Sequence, residues 1–461
     1  MTPAAGIAAQ FETLLGAEFV RTDDQSRTVY GTDALKRGHP ADVVVLPGNT
    51  GEVAAVVRLC AEHRIPMVPR GGGTGYTGGS VPTSGGVVIS LERMNRILEI
   101  DEANLIAVVE PNVITGDLQD AVEARGLFYP PDPASLRQSV IGGNVAECAG
   151  GPRAFKYGTT KQYVLGLEAV LPTGEIVETG GKVVKNVVGY DLTHLLVGSE
   201  GTLAIITRII LRLIPKPPVQ ATVRATFRSV EDAVAAVAAI IKERVVPAAV
   251  ELIDGTSLEA VARNLKVRSL APEGTAALLL VEVDGVPASV AEESSRVERA
   301  LHSAGATEVL RARDEAERQE LWRVRRELSL SLKMVAGLKF NHDVVVPKAR
   351  IPALFALVQR IAAERRLRIP CFGHAGDGNI HVNIMVDPND RDEIQRAHDA
   401  ERELFEGVVA MEGSISGEHG IGFSKAPFIA IELSPDEIAL MKRVKAAFDP
   451  HNLLNPGKIF P

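Results

Sequence analysis

The first half of the chain alternates short apolar runs with amphipathic stretches. Three of the runs, Val43–Leu46, Ile65–Val68 and Val87–Leu91, each meet a Gly or Pro at one end and predict buried strands. Between the first two, apolar residues recur at helical spacing from about Thr50 to His63, and Thr50 is the expected N-cap. Strands and a helix in this order indicate an α+β domain.

The pattern changes after Pro215-Lys216-Pro217-Pro218, a stiff connector that marks a predicted domain boundary. Beyond it, the periodicity predicts strands at Ala221–Phe227, Ala249–Ile253, Ala277–Asp284 and Thr307–Arg311, with helices at Val230–Arg244 and Ala288–Ala304. This β-α-β-β-α-β order is the ferredoxin-like split motif. A long helix is predicted from Glu315 to about Met334, and further helices and apolar strands continue to Met411.

Composition narrows the classes of function. A chain of 461 residues is long for one core and suggests two or three domains. The formal net charge is −8 and no basic stripe is present, so nucleic acid and anionic membranes are poor candidate partners. No signal-peptide pattern or membrane-spanning run is found, so a cytoplasmic location is expected. The cysteines Cys60, Cys148 and Cys371 lack the spacing of an Fe–S or structural zinc site.

The segment Pro69–Ser80 carries six glycines in twelve residues. Glycine loses much conformational entropy on folding, so this density indicates a need for bare backbone, whose consecutive N–H groups can surround a pyrophosphate. The pattern Gly73-x-Gly75-x-x-Gly78 also fits a dinucleotide fingerprint, but that motif requires a helix directly afterwards. Here another loop and a strand follow, which excludes a Rossmann site. An ordinary glycine-rich turn is the alternative.

In the C-terminal third, His374 and His381 flank a Gly-Asp-Gly turn. Alternation from Ile380 places His381 and Asn383 on one face of a strand, and the turn can bring His374 back onto that face. Glu418 lies beside a further histidine in another glycine-lined turn. Two imidazoles and a carboxylate make a metal site with open coordination positions. The alternative is a pair of buried histidines that are simply hydrogen-bonded in the core.

Six motifs spread over nearly the whole chain occur in a characteristic order: Pro69–Gly75, Gly142–Glu147, Gly198–Leu203, His374–His381, Gly417–Gly420 and Leu454–Lys458. Together they resemble the flavin-linked oxidases of the vanillyl-alcohol oxidase type, in the branch of D-lactate dehydrogenases, the glycolate oxidase flavin subunit and D-2-hydroxyglutarate dehydrogenase. The resemblance implies an α+β fold. An FAD-binding domain of two subdomains is expected at 1–216, a ferredoxin-like cap at 217–415, and a segment returning to the FAD domain at 416–461.

The resemblance also implies which residues hold FAD. Some members of the family attach the flavin through a histidine in the first glycine loop, and this sequence has none between His63 and His194, so non-covalent FAD is expected. The residues expected to bind it are Pro69, Arg70, Gly71, Gly72, Gly73, Thr74, Gly75, Gly78, Gly79, Ser80, Pro131, Asp132, Ile141, Gly142, Gly143, Asn144, Ala146, Gly150, Gly151, Tyr157, Gly158, Glu200, Gly201, Ile205, Ile206 and Asn455.

For the metal, the resemblance implies a divalent ion, zinc or else iron or manganese, on His374, His381 and Glu418. His419 matches the catalytic base. Metal and base together would lower the pKa of a substrate 2-hydroxyl and take its proton, while the C2 hydride passes to flavin N5.

A 2-hydroxy acid also needs an anchor for its carboxylate. Arg325 and Ser329 lie one helical turn apart and match substrate-binding positions of the family, and Asn383 and Lys339 are expected to contribute. The hydroxyglutarate enzymes carry a lysine where this chain has Asn341, with Lys339 two residues earlier. This difference favours D-lactate, glycolate or a similar monocarboxylate, with D-2-hydroxyglutarate as an alternative.

Two other classes of function are kept as alternatives. One is a zinc hydrolase built on the same histidines, and the other is a subunit whose flavin only relays electrons. The sequence shows no haem, Fe–S or NAD motif, so the electron acceptor is left open among O2, a quinone, a cytochrome, an electron-transfer flavoprotein and an Fe–S partner subunit. A homodimer, and peripheral attachment to the inner membrane through a partner, are also left open.

Overall fold

The computed structural model describes residues 3–267 and 270–461, which form two compact units. The first contains the chain up to Gly150, Thr159–Lys216 and Glu418–Pro461, and the second contains Gly151–Gly158 and Pro217–Gly417. One change of unit falls inside the proline-rich connector. No pattern in the sequence indicated that Gly151–Gly158 would pack within the second unit.

The strands of the first unit form two main sheets. They are β1 (Val20–Arg21), β2 (Val43–Val45), β3 (Met67–Arg70), β4 (Val87–Ser90), β5 (Ile97–Asp101), β6 (Ile106–Val109), β7 (Leu127–Phe128), β8 (Val164–Val170), β9 (Ile176–Gly180), β10 (Ile205–Arg212) and β11 (Ile214–Pro215). One sheet has the order β1-β2-β4-β3, in which β2, β4 and β3 are parallel. The other is antiparallel, with the order β5-β6-β10-β8-β9, and β7 pairs with β11.

The second unit contains one antiparallel sheet of seven strands. These are β12 (Val219–Phe227), β13 (Ala249–Asp254), β14 (Ala277–Gly285), β15 (Glu308–Arg311), β16 (Leu338–Val345), β17 (Cys371–His374) and β18 (Asn379–Val386). Their order is β15-β12-β14-β13-β17-β18-β16. The first four strands give the ferredoxin-like arrangement that the periodicity predicted, and the other three extend the sheet beyond β13.

Helices cover the sheets of both units. They are α1 (Pro3–Gly6), α2 (Ala8–Leu15), α3 (Asp24–Tyr30), α4 (Thr50–Glu62), α5 (Thr115–Glu123), α6 (Ile141–Glu147), α7 (Ala154–Tyr157), α8 (Leu192–Leu196), α9 (Val230–Lys242), α10 (Gly255–Asn264), α11 (Pro287–Ser303), α12 (Glu315–Val335), α13 (Ile351–Arg365), α14 (Arg391–Ala410), α15 (Ile429–Glu432) and α16 (Pro435–Phe448). Within the described residues, no helix is long and apolar enough to cross a membrane.

The helices differ from the sequence prediction at several places, among them the start of α4 and the presence of α10. The N-cap of α4 is Asn49, whose side chain accepts a hydrogen bond from the Glu52 amide at 2.9 Å, and not Thr50, which is the first helical residue. Helix α10 was not predicted. It begins where the Asp254 carboxylate accepts from the Ser257 amide at 2.7 Å, at the end of β13.

The core of the first unit lies between its parallel strands and α2 and α4, where Val43, Val57, Met67 and Ile89 are fully buried. In the second unit, one face of the sheet packs against α10 and α12 through an apolar cluster that includes Ile253, Leu328, Phe372 and Met385. The polar residues discussed below share that face, because side chains two apart on a strand point the same way.

Candidate active site

The first glycine-rich segment follows β3, and within the described residues the backbone amides of Gly71–Gly75 donate no hydrogen bond to another protein atom. A Cβ on Gly71 would lie 2.7 Å from Val140 Cγ2 and 3.8 Å from the Gly143 nitrogen, so the second glycine-rich segment lies directly against the first. Consecutive backbone N–H groups that donate to no protein atom are suited to bind the pyrophosphate of FAD. As predicted, no helix follows between β3 and β4.

Asn455 ties this loop to the third glycine-rich segment. Its side chain is 1% exposed, and Nδ2 donates to the carbonyl oxygens of Gly79 and Glu200, each at 2.8 Å. Its Oδ1 is buried and accepts no hydrogen bond from the described residues, which leaves it available to a cofactor. Asn455 therefore fixes the separation of two segments that were predicted to hold FAD.

Glu200 was predicted to bind FAD, and in this structure its carboxylate holds the loop after His419. Oε1 accepts from the Ile421 amide at 2.8 Å, and Oε2 accepts from the Gly422 amide at 2.7 Å. Burial raises the pKa of Glu200, although the two amides act to lower it. Its backbone carbonyl is the group that faces Asn455.

The proposed base, His419, lies beside the first glycine-rich segment. Thr77 Oγ1 donates to the His419 carbonyl at 3.1 Å, and the rings of Tyr76 and His419 stack with their centroids 5.5 Å apart. These contacts and those of Glu200 hold both sides of the loop that carries the imidazole.

Several other predicted FAD residues of the first unit make structural contacts. Arg70 Nη1 donates to the Thr32 carbonyl at 2.8 Å, and Asn144 Nδ2 donates to Thr115 Oγ1 at 2.7 Å. The Pro131 carbonyl accepts from Gln119 Nε2 at 2.8 Å. Ile205 and Ile206 are buried on β10.

The predicted segment Gly150–Gly158 is divided between the two units. A Cβ on Gly150 would lie 2.9 Å from Glu418 Oε2, so this glycine makes room for the predicted metal-binding carboxylate. Gly151, Tyr157 and Gly158 belong to the second unit, where the Tyr157 hydroxyl donates to Asp284 Oδ2 at 2.7 Å.

The hairpin of β17 and β18 brings the two predicted metal-binding histidines together. Phe372 is paired with His381 and His374 with Asn379, so both imidazoles lie on the face covered by α12. Their ring centroids are 5.4 Å apart, and both residues are buried. The prediction that the turn returns His374 to the face of His381 is confirmed.

Glu251 on β13 was not predicted, although it completes this polar face. It is paired with His374 in the sheet register, and its Oε1 lies 2.5 Å from His374 Nδ1. Its Oε2 accepts from Arg325 Nε of α12. Burial acts to raise the pKa of Glu251, but the neighbouring His374 and Arg325 outweigh it and lower the pKa to about 2. The available signal was one carboxylate inside the otherwise apolar run Ala249–Ile253.

Glu418 follows Gly417, whose amide donates to Asp343 Oδ2 of β16 at 2.9 Å. Two imidazole nitrogens and one carboxylate oxygen, the predicted set, are donors that suit zinc, iron or manganese. Within the second unit, the rings of His374 and His381 are close enough to share one ion.

The predicted substrate residues lie on the same face of the second unit. Lys339 Nζ donates to Ser329 Oγ at 3.2 Å, and burial lowers the pKa of Lys339 to about 8. Asn341 and Asn383 are paired on β16 and β18, and the Oδ1 atom of each is buried without a hydrogen bond from the described residues. Buried acceptors of this kind fit a site that receives a polar ligand.

Sequence comparison assigns both the N-terminal and the C-terminal part of the chain to known domain families. A profile of the FAD linked oxidases, C-terminal domain, matches residues 216–459, and a profile of an FAD binding domain matches residues 41–180. The chain belongs to the FAD-linked oxidase family. It is a flavin-dependent oxidoreductase that binds FAD, and the hydrolase alternative has no support.

Similar proteins agree with this assignment. The glycolate oxidase subunit GlcD of Bacillus subtilis is 42% identical over 98% of this chain and 96% of that protein. GlcD of Escherichia coli is 38% identical over 98% of this chain and 90% of its own length. A D-lactate dehydrogenase of Archaeoglobus fulgidus is 38% identical over 90% of this chain and 91% of its length.

Two solved structures share the fold of this chain. Substrate-bound p-cresol methylhydroxylase aligns with a TM-score of 0.83 at 20% identity, over 99% of this chain and 96% of its own. The 4-ethylphenol oxidase of Gulosibacter chungangensis aligns with a TM-score of 0.80 at 22% identity, over 100% and 98% of the two chains. The predicted α+β fold of the vanillyl-alcohol oxidase type is confirmed.

Proposed function

We propose that this FAD-linked oxidase oxidises a D-2-hydroxy acid, of the size of D-lactate or glycolate, to the 2-oxo acid. Relatives named glycolate oxidase subunit and D-lactate dehydrogenase support this substrate class. The observation that carries the proposal is the buried polar face of the second unit. It combines His374 and His381 with Arg325, which together suit a hydroxyl and a carboxylate on adjacent carbons.

Arg325 is the proposed anchor for the substrate carboxylate. Its Nε is engaged by Glu251, and the described residues offer no hydrogen-bond partner to its two Nη groups. The guanidinium carbon also lies 4.9 Å from the centre of the Phe372 ring, which supports the plane of the group. A planar pair of Nη donors can bind both oxygens of a carboxylate.

The proposed ligands of a divalent metal are His374, His381 and Glu418, and the charge of that ion would lower the pKa of the substrate 2-hydroxyl. His419 takes the hydroxyl proton on a ring nitrogen. As the C2–H bond breaks, the electron pair of the O–H bond becomes the second C–O bond of the product. Gly71–Gly75 would hold FAD non-covalently, and the flavin would supply the acceptor for the hydride that leaves C2.

An anaerobic titration of the purified protein tests the proposal. We expect D-lactate or glycolate to bleach the visible flavin absorption band and L-lactate to leave it unchanged. Treatment with a chelator should stop the bleaching without releasing FAD, and added zinc or manganese should restore it. Denaturation without proteolysis should release the flavin into solution, as expected for a non-covalent cofactor.

A matched pair of histidine variants separates the metal from general effects. H381A should lose both the bound metal and the bleaching, whereas H302A removes an exposed histidine of α11 and should retain both. Bleaching by D-lactate that is insensitive to chelation and to H381A would refute the metal-assisted mechanism. A flavin that none of these acids bleaches would refute the substrate class.

A dicarboxylate such as D-2-hydroxyglutarate is the second candidate substrate. The observation that favours it is Lys339, whose partly buried ammonium reaches Ser329 one turn beyond Arg325 on α12. A second carboxylate would have a cation to pair with there. Faster bleaching by D-2-hydroxyglutarate than by D-lactate, lost in K339M, would support this candidate.

A further inference from the structure

Glu251 occupies a position that ordinarily excludes charge. It lies in the middle of β13, its side chain is fully buried, and its sequence neighbours Val250 and Leu252 are buried as well. A carboxylate in such a place is costly unless each oxygen is paired. Both oxygens are paired here, one with Arg325 and the other with His374.

The contact with His374 determines which ring nitrogen can bind a metal. An ionised carboxylate only accepts hydrogen bonds, so the proton of the imidazole is on Nδ1, facing Glu251 Oε1. Nε2 then carries the ring's lone pair and is the atom that would coordinate an ion. Carboxylates that hold metal-binding imidazoles in this way fix both the tautomer and the orientation of the ring.

The contact with Arg325 determines which part of the guanidinium can bind substrate. Glu251 takes up Nε, on the inner edge of the group, and the ring of Phe372 lies against its face. Nη1 and Nη2 are left as the donors. The ion pair also confines an otherwise flexible side chain to one orientation, so less conformational entropy is lost when an anion binds.

From this geometry we infer that Glu251 is a positioning residue, which through one buried carboxylate orients both the metal-binding His374 and the substrate anchor Arg325. The inference rests on the proposed function, since it assigns those two roles to His374 and Arg325. It extends that function by coupling the two sites, because loss of this carboxylate disturbs metal binding and substrate binding together.

The adjacent strand supplies a matched control. Glu282 on β14 is also buried, and its Oε2 accepts from Trp322 Nε1 at 2.8 Å and from Arg318 Nη1 at 3.0 Å, both on α12. E282Q therefore removes a buried carboxylate from the same sheet and the same helix interface, without touching His374 or Arg325. Each variant is compared with the wild-type holoenzyme for FAD content, unfolding temperature, metal affinity and KM.

We expect E251Q to bind zinc about 10- to 100-fold more weakly in competition with a chelator, the range found when such carboxylates are removed elsewhere. KM for the 2-hydroxy acid should rise, even with saturating metal. E282Q should lower the unfolding temperature similarly and leave metal affinity and KM unchanged. E251D, which keeps the charge and shortens the side chain, should recover part of the metal affinity.

Equal zinc affinity and KM in E251Q and the wild type would overturn the inference and leave Glu251 a purely structural ion pair. Similar losses of both in E282Q and E251Q would overturn it too. Wild-type protein that takes up no metal would instead refute the proposed metal site. In that case, a KM raised in E251Q but not in E282Q would support the Arg325 half of the inference, and an unchanged KM would overturn it.

Discussion

Replacing Asn455 with alanine tests whether one side chain holds together two loops that are proposed to bind FAD. The substitution removes Nδ2, which donates to the buried carbonyls of Gly79 and Glu200 at 2.8 Å each. A buried polar group left without its partner costs about 1–3 kcal/mol, so the two carbonyls together predict a loss of about 2–6 kcal/mol. Asn455 also has a φ of +47°, where an alanine side chain adds about 1 kcal/mol of strain.

A second asparagine separates these two effects. Asn452 has a φ of +50° but is exposed, and its side chain makes no hydrogen bond with the described residues. N452A therefore carries the backbone strain of N455A without the loss of hydrogen bonds. The difference between the two variants measures the contribution of the Asn455 amide alone.

Urea unfolding at a fixed FAD concentration is the assay, because the two units have separate probes. Release of FAD increases its fluorescence and reports the first unit, while Trp322 is the only tryptophan of the chain and reports the second. With an m-value of roughly 3 kcal/mol per M, N455A should lower the FAD-release midpoint by about 1–2 M urea. The Trp322 transition should not move. Midpoints of FAD release that agree between N455A and N452A would refute the reasoning.

Two further predictions concern one partly buried cation and one glycine. Burial disfavours the charge of Lys339 and lowers its pKa in the folded protein to about 8, from the ordinary 10.5. Between these two values the unfolded chain binds more protons than the folded one, so the stability of the second unit should rise with pH from about 8 to 10.5. The variant K339M should abolish this rise, as measured by urea unfolding. Gly78 has a φ of +80°, and a Cβ at this position would lie 2.0 Å from Phe423 Cε1, so the variant G78A should lose FAD during gel filtration. The control is G189A, because Gly189 has a φ of +78° but no atom within 4 Å of the added Cβ, and this variant should retain FAD.

Patterns that depend on neighbouring residues predicted the fold well. Strand, glycine loop and strand without an intervening helix excluded the Rossmann arrangement, and β3 and β4 are indeed parallel neighbours joined by a loop. The order of strands after the connector predicted the ferredoxin-like sheet. The cap of α4 was wrong by one residue because Asn49 and Thr50 are both good caps, and the path of the chain after β2 decides between them.

The sequence was less informative about individual side chains. Glu200 lies in a motif that the family uses around FAD, yet its carboxylate accepts from two amides more than two hundred residues away. Glu251 was missed because its partners come from α12 and β17, and only the strand register places it beside His374. Neither pairing has a local signal, since both depend on tertiary contacts between distant segments.

The difference between the two kinds of residue has a physical cause. The backbone amides of Gly71–Gly75 are donors whatever packs around them, so a glycine-rich sequence is enough to predict an anion site. A buried carboxylate has no fixed role, because its cost must be offset by whichever cations or amides the fold supplies. One acidic residue inside an apolar strand therefore predicts that a partner exists without identifying it.

In this protein Glu251 is paired with His374 and Arg325, and Glu282, on the next strand, is paired with Arg318 and Trp322. Two similar sequence signals thus lead to one carboxylate beside the proposed metal and substrate residues and another that stabilises the interface of α12 with the sheet.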